Sequence, residues 1–311
     1  MTIDKAFIKL FDSEVKKAYQ AHRTLAGTVR ERKGVVGSSV QFPRIGTGVA
    51  TKRQDRRNVI PLNVDYSHVT VPLESWAVAD YSGIFHQRRV NFDQRTELSM
   101  GVLAPAIGRR MDQLIVDALK ALPTVASTGS PDHQKNLIAN RNAFSVGHGT
   151  GGTNRTMAIE FFQAAKKAMD QQNVPDDDRY MLIGASQLHA LLSTTKATSV
   201  DFVPMRSLVT GEIDRLYGMK VITWGDRPEG GLSKTTAATD YSGVTSPVSP
   251  AIDDRICWCW HKSAIAYAEN MSRSVMVDYI PEKTSYLVLQ AFQAGAGVID
   301  ASGVVKMFVD E

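Results

Sequence analysis

The stretch Gly147-His148-Gly149-Thr150-Gly151-Gly152 is where backbone chemistry is easiest to imagine in this 311-residue chain. A glycine-rich loop opening onto a helix can offer free N–H groups to a phosphate. The rest of a nucleotide site is missing. Thr153 and Asn154 follow the last glycine where a Walker loop needs Lys, no strand leads in, and the spacing does not fit the dinucleotide fingerprint. A linker is the simpler reading. His22, His68, His86, His133, His148, His189 and His261 are scattered without metal-ligand spacing. Asp176, Asp177 and Asp178 form a charge run at a turn, without the further oxygen ligands that a cation needs. No serine sits in a G-x-S-x-G elbow. Cys257 and Cys259 lie two apart in ICWCW, so on a strand they share one face and leave the other to Trp258 and Trp260. Neither has a partner for zinc or a disulfide, and buried, inert thiols suit a reducing compartment. The expectation is no catalytic, cofactor-binding or metal-binding residue.

The bulk numbers agree with an ordinary folded chain. Hydrophobic residues at 43% against 22% charged leave enough apolar surface for one large or two ordinary domains. No run of about 18 apolar residues is present, and MTIDKAFIKLF lacks the uninterrupted apolar core of a secretory signal. Charge is uneven. Residues 1–60 hold thirteen Lys and Arg against five Asp and Glu, a net of +8, and the remainder balances at −4. A basic leading segment beside a mildly acidic body is built to meet an acidic surface, either nucleic acid or another copy of the chain.

The elements that would position these residues can be read from periodicity. Phe7, Leu10, Phe11, Val15 and Ala18 recur at helical spacing, with Asp4 as N-cap, and their apolar stripe needs a cover. Residues 34–83 read as a long β-hairpin whose tip carries Lys52, Arg53, Asp55, Arg56 and Arg57. Its return limb alternates at Val69, Val71 and Leu73, and Pro72 confines that limb to an edge. With too little apolar surface for a core of its own, such a hairpin is expected to dock on a neighbouring copy. Arg53, Arg56, Arg57, Phe7 and Phe11 are therefore candidate intersubunit contacts.

A helix spans about residues 92–122, capped by Asp93, with a stripe of Leu103, Ile107, Met111, Leu114, Ala118 and Leu122. Pro105, Gly101 and Gly108 should kink or loosen its middle. A polar loop (123–155) precedes a helix at 156–172, buried through Ile159, Phe162, Ala165 and Met169. A strand at 180–183, a short helix at 186–192 capped by Ser186 and a strand at 216–224 come next. Beyond the loop at 225–251, strands are expected at 256–268, 274–279, 286–292 and 304–309. Helices and strands mix without βα alternation, so the class is α+β.

Three short patterns carry a family resemblance. They are Asn173-Val174-Pro175 followed by Arg179-Tyr180; Gly211-Glu212-Ile213 with Gly218-Met219-Lys220-Val221-Ile222; and Trp260-His261-Lys262-Ser263-Ala264-Ile265-Ala266. In this order, behind an arm, a hairpin and a long helix, they resemble the major capsid proteins of tailed double-stranded DNA bacteriophages, most of all the short-tailed ones. The resemblance covers about residues 1 to 311 and implies the Hong Kong 97-type fold. It would place an N-terminal arm at 1–37, an extended β-hairpin loop at 38–85 and a peripheral domain with a spine helix at 86–155. An axial domain would occupy 156–269, and return strands of the peripheral domain 270–311.

The function so implied is structural. Copies would assemble into pentamers and hexamers of an icosahedral shell around double-stranded DNA, made in the host cytoplasm with a scaffolding protein and a portal and ending in the virion. Some relatives crosslink a loop lysine to an asparagine. Lys52 stands near the tip, but no matching acid-and-asparagine arrangement accompanies it, so that chemistry is not expected. Two alternatives stay open on the sequence: an encapsulin-like compartment of the same fold, and a nucleotide-binding enzyme built on residues 147–152.

Overall fold

The computed structural model describes residues 20–50, 66–87, 93–121, 156–193, 214–234 and 255–309, four isolated positions between 52 and 64, and the backbone of Ala143–Phe144. The amphipathic segment with Phe7 and Phe11, the tip residues Arg53, Arg56 and Arg57, and the glycine-rich loop lie outside the described residues.

Among the described residues the strands form two sheets and a hairpin. The strands are β1 (Arg30–Lys33), β2 (Ser39–Ile45), β3 (Tyr66–Pro72), β4 (Glu74–Gly83), β5 (Ala143–Phe144), β6 (Arg179–Gly184), β7 (Arg215–Leu216), β8 (Met219–Trp224), β9 (Arg255–His261), β10 (Ile265–Ile280), β11 (Ser285–Val298) and β12 (Val304–Val309). A four-stranded sheet runs β1-β10-β11-β4 and a six-stranded sheet β5-β12-β9-β6-β8-β7, while β2 and β3 pair only with each other. Helices α1 (Ile84–Gln87), α2 (Gln94–Leu98), α3 (Ala104–Lys120), α4 (Ile159–Gln171) and α5 (Ala185–Ser193) complete the set. The mixture is α+β, as the irregular order of elements predicts.

The long helix is α2 and α3 joined by one π-helical turn, Ser99–Leu103. Asp93 caps it as expected, accepting from the Arg95 N–H at 3.2 Å and the Thr96 hydroxyl at 2.6 Å. The expected irregularity around Pro105 takes the form of the π turn. Proline has no N–H to give the preceding turn, and a widened turn absorbs the missing bond. The carbonyl of Ser99 gains an outside donor, Gln290 Nε2 of β11, at 2.9 Å. The π turn also rotates α3 relative to α2, and the buried positions of α3 include Ile107, Met111, Ile115, Val116 and Leu119. Leu114 and Ala118, expected on the buried stripe, are only partly covered.

Strand β9 shows the period-2 split predicted from ICWCW. Trp258 and Trp260 enter a core with Ile107, Ile115 and Tyr267, beneath α3. Cys257 and Cys259 enter a second core with Phe162, Met169 and Leu191, beneath α4 and α5. Both thiols are free, and burial pushes each up to about 12.

Some expectations need correction. The segment expected as one strand over 256–268 is two strands in different sheets, broken by a 3₁₀ turn at Lys262–Ala264. The closing strand β12 lies in the six-stranded sheet, paired with β9. The hairpin does have a core within its own chain: Val40, Phe42 and Val71 are buried against Ala266, Ala268 and Ile299. Glu74–Gly83, expected within the loop at 38–85, pairs along β11 in the four-stranded sheet.

Candidate assembly surfaces

The hairpin stem has an inner and an outer side because its register is strict, from Ser39 opposite Pro72 to Ile45 opposite Tyr66. Val40, Phe42 and Val71 turn inwards. The stem crosses β11 at two glycines. A Cβ on Gly295 would overlap the carbonyl oxygen of Pro72, and one on Gly297 would lie 2.8 Å from a Val71 methyl. The two positions must be bare for the backbones to approach this closely. Arg44 adds an ion pair to Asp300 at 3.1 Å, on the turn after β11. Towards the tip the stem leaves the body, and Ile45 and Tyr66, directly opposite each other, are 65% and 79% exposed. This isoleucine–tyrosine pair adds apolar surface to the distal stem.

Among the described residues nothing covers the outer face of the four-stranded sheet either. Phe292, Gln290 and Val288 of β11 alternate inwards, with Trp76 stacked under Arg110 of α3 at 3.8 Å. The residues between them look outwards. The register aligns Met276–Leu289–Ala79 in one row, Asp278–Leu287–Tyr81 in the next and Ser274–Ala291–Ala77 in a third. Met276 is 50% exposed, Ala77, Ala79 and Tyr81 are exposed, and Leu287 and Leu289 are half-covered. Three small alanines among larger apolar side chains make this face flat. Beyond Glu269, where the pairing with β1 ends, β10 is an edge strand among the described residues.

The body behind these surfaces is braced by buried charge that sequence reading missed. Asp112 of α3 is 0% exposed. Its carboxylate accepts from the backbone N–H of Thr24 at 2.7 Å and of Leu25 at 3.1 Å, and from Arg227 Nη1 at 3.0 Å. One turn earlier, Arg109 pairs with Glu229 at 2.9 Å and donates to Gln20 at 2.8 Å. The helix thus pins both the chain at 20–25 and the loop after β8. The only advance signal is charge at i and i+3 beside a buried stripe, which a solvated helix face would share.

A second brace explains the Asn173–Arg179 pattern. Arg179, its side chain 1% exposed, donates to the carbonyls of Val174 at 2.6 Å and Pro175 at 2.8 Å and pairs with Asp170 and Asp176 at 2.8 and 3.1 Å. The guanidinium closes the turn that links α4 to β6. Tyr217 and Gly218 (φ 51° and 82°) make the tight turn that sends β7 back along β8, a left-handed pair for which the glycine is suited.

Among the described residues no group of His, Cys, Asp and Glu could hold a metal ion, and no helix is long and apolar enough to cross a membrane. His22, His68 and His189 are exposed and apart. A cavity of about 590 Å³ lies between the chain at His22–Arg23, the π turn and β10, with Lys33, Glu269 and Arg273 among its lining.

A family model described as phage capsid protein matches residues 3–311. The chain belongs to the phage capsid protein family. Solved capsid chains share its fold over nearly their full length. That of cyanophage P-SCSP1u superposes with a TM-score of 0.72 at 16% identity, covering 100% of this chain and 95% of the other. The cyanophage Pam1 capsid gives 0.69 at 14% identity, over 99% and 98%. A chain of Mycobacterium phage Che8 gives 0.66 at 17% identity, over 98% of each. No curated protein sequence matches this one significantly. The expected Hong Kong 97-type α+β fold is thus the fold of this capsid protein.

Proposed function

We propose that this capsid protein is the major shell subunit of a tailed double-stranded DNA phage, assembling through pentamers and hexamers into an icosahedral container for the genome. The observation that carries the reading is a filled, braced body with two separate apolar surfaces that no described residue covers, the distal hairpin stem and the flat outer face of the four-stranded sheet. A closed shell needs each chain to present several distinct contacts, and many modest contacts add up through multivalency. On this reading the four-stranded sheet with α2 and α3 is the peripheral layer. The six-stranded sheet with α4 and α5 is the axial layer.

The hairpin tip and the N-terminal arm supply the remaining contacts. Arg53, Arg56 and Arg57 would meet acidic surface on a neighbour, while Phe7 and Phe11 would seat an apolar stripe there. A scaffolding protein and a portal would be the other partners during assembly. The virion would be the final location.

Negative-stain electron microscopy of the purified protein tests the class directly. Shells, or five- and six-fold capsomers, are expected; a small oligomer that never forms them would overturn the proposal. Changing Arg53, Arg56 and Arg57 to Glu should leave the circular dichroism spectrum intact and abolish large particles. Unaltered assembly would remove the tip from the interface.

A further inference from the structure

Two of the crossings between the two sheets are short turns that sit against each other. Lys262–Ala264 carries β9 into β10, and Ala301–Gly303 carries β11 towards β12. The Ala264 carbonyl accepts from the N–H groups of Ile299 and Asp300 at 2.8 and 3.2 Å. A Cβ on Gly303 would lie 2.9 Å from that of Ala264. Each turn is capped in the same way, by a side chain that reaches a serine two residues on. Asp300 Oδ1 accepts from the Ser302 N–H at 3.0 Å and its hydroxyl at 2.6 Å. His261 Nδ1 accepts from the Ser263 N–H at 3.3 Å and faces the Ser263 hydroxyl at 2.7 Å. One cap is a carboxylate. The other is an imidazole.

We propose that His261 is a pH-sensitive latch on the crossing between the sheets, closed while its Nδ1 is unprotonated and released when that nitrogen takes up a proton. An imidazole caps a backbone N–H only through a free ring lone pair, and the imidazolium has none. On protonation Nδ1 turns donor. It can keep the Ser263 hydroxyl by reversing that bond, but the Ser263 N–H loses its acceptor.

The groups facing His261 come from the turn before β6 and from its first residue, namely Asp177, Asp178 and Arg179. His261 is also bonded to the backbone of Asp177, and Lys262 N donates to the Asp178 carbonyl at 3.1 Å. The same residue therefore joins the crossing to the turn that Arg179 braces. Burial, the largest influence, holds the imidazole below its ordinary 6.5; Asp178 opposes this and Arg179 reinforces it. Acid is therefore the releasing direction. The latch contributes fully above the unfolded value, and its contribution is lost as pH falls below that value towards the lower folded one. The device belongs to a single subunit and does not depend on the shell reading.

Amide hydrogen exchange on the unassembled full-length protein tests it, after correction for the intrinsic pH dependence of exchange. Protection of the Ser263 amide should fall about tenfold as the His261 ring, followed by its own nitrogen shifts, passes from unprotonated to protonated on acidification, the loss expected for one hydrogen bond. The Ser302 amide, capped by a carboxylate, should hold. In His261→Asn, whose side-chain oxygen accepts throughout the titration, the Ser263 amide should hold as well. A pH-independent Ser263 amide, a parallel loss at Ser302, or an equal loss in the Asn variant would overturn the proposal. Should that variant fail to fold, the ring nitrogen shifts of the unaltered protein decide. Nδ1 bare and Nε2 protonated near neutral pH is expected, and the opposite tautomer would overturn the latch.

Discussion

Asp112 and Arg179 are both buried ions, yet their removal should cost different amounts because their partners differ in exposure. Arg227 is 3% exposed beside Asp112, and two backbone N–H groups share the same carboxylate. Asp112→Ala would strand all of them away from water, so a loss of about 3–5 kcal/mol is expected. Arg179 leaves Asp170 and Asp176, 45% and 73% exposed, which rehydrate readily. Arg179→Ala should cost about 1–3 kcal/mol, mainly for the two orphaned carbonyls. Urea midpoints of the two variants check the order as well as the sizes. With both thiols buried and raised to about 12, Cys257 and Cys259 should resist alkylation near neutral pH until the protein unfolds. Mass spectrometry after a timed iodoacetamide pulse reads this. The cysteine–tryptophan split was legible because alternation along a strand is a local rule. The partners of Asp112 were not, since residues 24, 112 and 227 meet only in three dimensions.

At the scale of elements, periodicity located the helices and the hairpin well and misplaced what depends on packing. Pro105 announced an irregularity, and the structure realises it as a π turn whose Ser99 carbonyl accepts from both the Ala104 N–H and Gln290 Nε2 of β11. The expected stripe holds through Ile107 and Met111 and then continues at Ile115 and Leu119 instead of Leu114 and Ala118. The sequence 256–268 looked like one strand because both halves are apolar; only the sheet pairing reveals the break at Lys262. The hairpin looked coreless because its cover, Ala266, Ala268 and Ile299, lies more than 190 residues away in sequence. Gly295 is the sharpest test of that packing. In Gly295→Ala the new methyl would occupy the space of the Pro72 carbonyl oxygen, so the hairpin base must lift. Exchange should accelerate at the β2 and β3 amides, while β6 and β9 keep their protection. If both sheets loosen together, the hairpin is not an independently seated element.

The whole molecule combines a rigid interior with apolar surface that no described residue covers, which is the division of labour a shell subunit needs. Residue order alone placed the chain in the right family, because the succession of arm, hairpin, long helix and mixed domain is readable one element at a time. Which strand belongs to which sheet was not readable, and β12 shows why. Six fully buried residues could pair with either sheet, and only the turn at Ala301–Gly303 aims them at β9.

Strand β9 has one further consequence. Its tryptophans belong to one core and its cysteines to the other, so it is a party wall between two rooms. Neither core can melt without stripping one face of that wall, and a half-stripped central strand has no stable place to go. Heat should therefore take the described body apart in a single step, with calorimetric and van't Hoff enthalpies in agreement. Two separated transitions in scanning calorimetry would mean that the wall can stand with one side open.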